Sequence, residues 1–173
     1  MNNDALRYPT GKFAPQEAYS KKEIDEFIAK IESLPARFEA VAKTLSAKQL
    51  ETPYRDGGWT ARQVIHHVAD SHMNAYIRFK WTLTEDTPTI KAYDEKLWAE
   101  TAEVAFDPQN SIALLKALHV KWTTLLKALT PEDLTREYIH PETKKHNRLD
   151  RIVAMYAWHG DHHLGHLKIV AGK

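Results

Sequence analysis

The chain has 173 residues, 43% apolar and 27% charged, with 24 Lys plus Arg against 23 Asp plus Glu. That length suits one domain with a real core, spanning residues 1–173. The formal net charge of +1 gives no electrostatic reason for a nucleic-acid or anionic-membrane partner. The absence of cysteine excludes disulfides, thiolate metal ligands and a cysteine nucleophile.

The opening segment, MNNDALRYPTGKFAP, lacks the apolar core of a signal peptide. No apolar run approaches the roughly 18 residues that a spanning helix needs, so a cytoplasmic location is the expectation. Pro9, Gly11 and Pro15 make residues 1–20 an arm, not a helix. Ser20 with Glu23 is a capping-box pair, and Ile24, Phe27, Ile28, Ile31, Leu34, Phe38, Val41 and Leu45 follow at helical spacing. Pro35 is expected to kink that helix. SAKQ reads as one helical turn, and Gly57-Gly58 as a break.

A second long helix is expected from Trp59 or Thr60 to Leu83, with Thr60 and Gln63 as its capping pair. A loop and a short helix over Glu95–Glu103 come next. Asp107-Pro108 opens a third long helix to about Leu129, with Ile112, Leu115, Leu118, Trp122 and Leu126 on its stripe. PETKKHNR is a polar loop. The fourth long helix runs from Leu149 to about Val170, and Gly172 ends it. Strand signals are nearly absent, so the fold class is all-α, a four-helix bundle with short connecting helices. LSAKQLETPY resembles LTPEDLTREY downstream, which hints that the two helix pairs repeat.

The stretch WHGDHHLGHL gathers His159, His162, His163 and His166. Residues four apart on a helix meet on one face, so His159 pairs with His163 and His162 with His166. The stripe through Leu149, Ile152 and Tyr156 continues into His159 and His163, which makes that pair the one facing inward. Two buried imidazoles without partners would cost a few kcal/mol, and a shared metal ion satisfies both. A third histidine on a facing helix would complete three neutral nitrogen ligands with an open position.

On the second long helix, Gln63, His67, Asp70, Ser71, Asn74 and Arg78 share a polar stripe. It is either a solvent face or the lining of a wet internal site. For Arg78 the ordinary surface charge is the stronger reading, while Trp81, Trp98, Trp122 and Trp158 read as core or interface packing.

GGWTARQVIHHVADSHMNAYIRFK and YAWHGDHHLGH, with YPTGKF, PYRDGGW and AYDEKLW, resemble the DinB/YfiT-like family of metal-binding four-helix bundles over nearly the whole chain. The resemblance implies an up-down-down-up bundle, a homodimer, and one divalent metal per chain, Zn2+ first and Ni2+ as the alternative. It carries the ligand roles onto His67, His159 and His163, leaving His66 out of register and His162 and His166 without a ligand role. It implies a metal-dependent hydrolase acting on a small molecule through an activated water. Some relatives instead use a low-molecular-weight thiol of the bacillithiol type as cosubstrate, and a non-catalytic metal-binding stress-response module is the reading from another class. Asp70, one turn from His67, is the candidate proton acceptor; it could equally orient His67 or face solvent.

Overall fold

Ser20 starts the first long helix as expected. Its hydroxyl accepts from the Glu23 N–H, and the Glu23 carboxylate accepts from the Ser20 N–H at 2.8 Å. The structure, a computed structural model, describes residues 3–172. In chain order the helices are α1 (Asn3–Arg7), α2 (Lys21–Ala42), α3 (Ala47–Leu50), α4 (Ala61–Thr84), α5 (Glu95–Trp98), α6 (Gln109–Lys127), α7 (Pro131–Thr135) and α8 (Leu149–Ala171). Two short strands, β1 (Glu137–Ile139) and β2 (His146–Arg148), pair antiparallel between α7 and α8.

Shared cores give the helix directions. Ile24, Ile28 and Ile31 at the start of α2 meet Ala75 and Phe79 late in α4, Trp122 and Leu126 late in α6, and Leu149 to Tyr156 early in α8. The second core joins Phe38 and Val41 at the end of α2 to Val64 and Val68, Ile112 and Leu115, and Leu164 and Leu167. The bundle is therefore up-down-down-up. Each of α2 and α4 packs on both α6 and α8, so α2 faces α4, and α6 faces α8, across the diagonals of the bundle.

Parallel α4 and α6 impose a long return. A 24-residue helix is about 36 Å long, which an extended chain recovers in roughly 11 residues. Residues 85–108 supply more than that. They are held on the way by Ile90 N–H donating to the Ile139 carbonyl (3.1 Å) and by the short helix α5. The surplus forms one wall of the cleft described below.

Several expectations are corrected. The N-terminal arm contains a one-turn helix, α1, because Asp4 to Arg7 form a turn before Pro9 ends it. The polar loop PETKKHNR is the tip and second strand of a hairpin: Tyr138 buries its ring in the core and draws β1 alongside β2. The helix expected over Glu95–Glu103 divides into α5 and a separate 3-10 turn, Ala102–Ala105. Pro35 does not end α2, which continues past it to Ala42. The repeat segments become α3 and α7, each with a capping box, at Ser46–Gln49 and Thr130–Asp133.

Candidate metal centre

α4 begins where the hydroxyl of Thr60 accepts from the Gln63 N–H and the Gln63 side chain accepts from the Thr60 N–H (3.0 Å). Gly57 takes the left-handed backbone, φ 61°, that turns the chain into this start. His67 follows two turns in, with the Trp59 ring 4.6 Å away. α8 presents His159 and His163 one turn apart, ring centroids 4.5 Å apart. Gly160 between them lets α2 close on α8, because a Cβ there would stand 2.5 Å from Leu34 Cδ2.

The structure brings His67, His159 and His163 together: one nitrogen from each lies within 4.8 Å of the others. His67 Nε2 and His159 Nε2 are 3.3 Å apart. Two nitrogens bound at 2.0–2.1 Å to one tetrahedral ion would be separated by about 3.3 Å, so the donor set fits a cation of that kind. Burial pulls His67 down to about 4, with the positive charge of His162 adding to it. Burial pushes His159 and His163 well below the usual histidine range. At neutral pH these are neutral imidazoles, the form a metal requires.

A second group overlaps the first. His162, His163 and His166 also place nitrogens within 4.8 Å of one another. There, however, His163 Nδ1 and His166 Nδ1 are 3.3 Å apart and His166 Nε2 lies 3.2 Å from the Arg7 carbonyl oxygen. His166 also stacks on Tyr54 at 3.7 Å, and His162 on Trp158 at 4.6 Å.

The histidines open into a cleft of about 680 Å³. Arg7 and Tyr8 of the arm, the Tyr54–Trp59 loop, Glu95, Lys96 and Glu100 of the crossover, and Trp158 of α8 form its walls. The arm is fastened at Gly165, where a Cβ would meet Pro9 Cγ at 2.7 Å, and by Trp158 Nε1 donating to the Gly11 carbonyl (3.0 Å).

Behind the cleft lies a line of rings that the sequence reading did not single out. His159 Nδ1 is 3.2 Å from His72 Nε2, and His72 Nδ1 is 3.0 Å from His119 Nε2. His119 Nδ1 donates to the Ile31 carbonyl at 2.6 Å. His72 and His119 are fully buried between the two apolar cores. A histidine on the apolar stripe of the third long helix, four residues before Thr123 and three before Trp122, was the available signal.

Asp70 is half-buried and outside the cleft lining, and burial, with Glu103 nearby, raises its carboxyl to about 6. Among the described residues its carboxylate makes no hydrogen bond to the site histidines. The carboxylates lining the cleft are Glu95 and Glu100. Asn74 donates to the Asp70 carbonyl within its own helix. Arg78 is a correction: it is 9% exposed, with its guanidinium 5.9 Å from the Tyr93 ring, because the crossover covers that face of α4. Trp158 is likewise more than packing, since it walls the cleft, while Trp81 and Trp98 are over a third exposed. His66 turns to α6, its Nδ1 2.8 Å from Ser111 Oγ. Asp161 points away from the centre to Arg37 at 2.6 Å.

Residues 30–167 match the DinB superfamily, and a four-helix bundle with α4 and α8 histidines converging is what that match covers: the chain belongs to this family. Among its members it is similar to YfiT of Bacillus subtilis (strain 168), with 47% identity across 96% of this chain and 94% of YfiT. The solved YfiT structure superposes with a TM-score of 0.94 at 46% identity, covering 97% of both chains, and is described as "a probable metal-dependent hydrolase with an unusual four-helix bundle topology". A Bacillus cereus (strain 03BB102) relative, whose name places it in the same candidate class, is 48% identical over 94% of this chain and 93% of its own. A mycothiol-dependent maleylpyruvate isomerase shares the fold at 12% identity, TM-score 0.62, over 79% of this chain and 57% of its own. Among the described residues no helix is long and apolar enough to cross a membrane.

Proposed function

We propose that the protein is a metal-dependent hydrolase of small molecules, with His67, His159 and His163 holding one divalent ion per chain. The observation that carries this reading is the 3.3 Å approach of His67 Nε2 to His159 Nε2, with His163 beside both, at the floor of an open cleft. The names of relatives over 45% identical support the same class. Imidazole donors suit zinc, with nickel as the alternative. When bound, such an ion supplies a Lewis acid that brings the pKa of a coordinated water toward about 7.

The chain's own residues do the rest. Neutral rings bind the ion and leave one side open to the cleft. Tyr8, Tyr54, Trp59 and Trp158 shape a space of small-molecule size and restrict water. Asp70 is basic enough near neutral pH to accept a proton, and Glu95 and Glu100 are the carboxylates that line the cleft. Exposed Ile77 and Trp81, one turn apart on α4, are consistent with a homodimer.

The test is turnover. Protein loaded with Zn2+ or Ni2+ is assayed against ester, amide and phosphoester panels, with and without bacillithiol or glutathione. Metal-dependent hydrolysis without thiol supports the reading. Thiol-dependent consumption of an electrophile replaces it with a transferase, and one bound metal with no turnover replaces it with a binding module.

A further inference from the structure

The two α8 histidines of the centre are each backed by a chain of hydrogen bonds that ends on a backbone carbonyl, and a carbonyl can only accept. That fixes every proton along the way. Ile31 O accepts, so His119 carries its proton on Nδ1. A neutral ring then has its lone pair on Nε2, so His72 Nδ1 must donate to it. His72 Nε2 is in turn an acceptor, so His159 carries its proton on Nδ1 and its lone pair on Nε2. The second chain reads the same way. Arg7 O accepts from His166 Nε2–H, which leaves His166 Nδ1 to accept from His163 Nδ1–H. His163 is then left with its lone pair on Nε2.

The rings are neutral because they are buried. His72, His119 and His166 are each at most 1% exposed, and their hydrogen-bond partners are other imidazoles and backbone carbonyls, with no carboxylate to balance a positive charge. The anchor on α2 has its own cause. In an α-helix the Ile31 carbonyl would accept from the N–H four residues on, and that residue is Pro35, which has none. Pro35 is buried inside α2, so the carbonyl it frees cannot turn to water and is met by His119.

We propose that His72 and His119, with the Ile31 carbonyl that Pro35 frees, and His166 with the Arg7 carbonyl, are positioning residues that lock His159 and His163 in the Nδ1–H tautomer and so offer Nε2 of each to a cation. The final clause rests on the metal-centre reading above; the tautomers do not. Partners behind metal-bound histidines commonly change affinity by about 10–100-fold, and the assignment explains why the second histidine group is spent internally: His163 Nδ1 and His166 Nδ1 face each other as donor and acceptor.

Nitrogen-15 NMR of histidine-labelled full-length protein, chelator-stripped and Zn2+-loaded, reads the tautomers directly. The expected pattern is Nδ1–H at His72, His119, His159 and His163, with Nε2–H at His166. An Nε2–H tautomer, or an imidazolium at neutral pH, at His159 or His163 overturns the proposal. Zn2+ affinity by chelator competition is the second readout. His72→Phe removes the acceptor and should weaken Zn2+ by about 10–100-fold, and His72→Gln, which keeps an acceptor oxygen and an N–H, should recover most of it. Unchanged affinity in folded His72→Phe overturns the proposal. Expected tautomers in a wild type that binds no Zn2+ would leave the relay standing and remove the metal reading instead.

Discussion

Acid sensitivity of the metal-free protein follows from the buried histidines, and His119 gives the cleanest case. Burial lowers it from 6.5 to about 4. Between those values the unfolded chain binds more protons than the folded one, so stability rises with pH. It is full above about pH 6.5 and is lost as pH falls toward 4. At about 1.4 kcal/mol per pH unit the whole interval is worth about 3 kcal/mol, of which about 2 is gone by pH 5. That is a sizeable part of a stability of about 5–15 kcal/mol. His119→Gln removes the titration while keeping a donor for the Ile31 carbonyl and an acceptor for His72. Urea unfolding of both proteins in chelator, from pH 8 to pH 5, measures the difference in slope. Wild type should lose about 2 kcal/mol more than the variant across that range. Equal pH dependence in the two proteins refutes the assignment of a neutral, buried His119.

Thr60→Ala should cost about 1 kcal/mol in chemical denaturation by removing the cap of α4, and an unchanged midpoint would count against that cap. Gly165→Ala places a Cβ against Pro9, so limited proteolysis should cut the N-terminal arm faster than in wild type; equal protection would show that the arm is held elsewhere. With a substrate in hand, Asp70→Asn tests that carboxyl as the proton acceptor: a kcat lowered by about 100-fold or more, with loss of an acid limb near pH 6 where it titrates, supports the role. If Glu100→Gln or Glu95→Gln does this and Asp70→Asn does not, the proton acceptor is a cleft carboxylate.

The long helices were readable because their signals are local. Capping pairs at Ser20–Glu23 and Thr60–Gln63 and the apolar stripes fix where the helices start and which faces are buried, whatever the tertiary partners. His159 and His163 were readable for the same reason, since one helix carries both. The third histidine needed the family resemblance, because nothing local says that α4 and α8 run antiparallel and adjacent. The relay was invisible for a stronger reason. His72, His119 and the Ile31 carbonyl sit on three different helices, and their meeting depends on α2 and α4 each touching α6. Pro35 by itself predicts only a kink; that a ring meets the Ile31 carbonyl it frees depends on α6 packing beside α2. The hairpin is not legible because three-residue strands give too little alternation to register, and the burial of Arg78 is not legible because no local pattern says that the irregular crossover folds back over α4.

Metal content of the purified variants tests the centre most directly. Elemental analysis after Zn2+ loading and desalting should find one metal per chain in wild type and in His162→Ala, and close to none in His67→Ala, His159→Ala and His163→Ala. Loss of metal in His162→Ala and His166→Ala, with His67→Ala still loaded, would move the ion to the other histidine group and contradict the account.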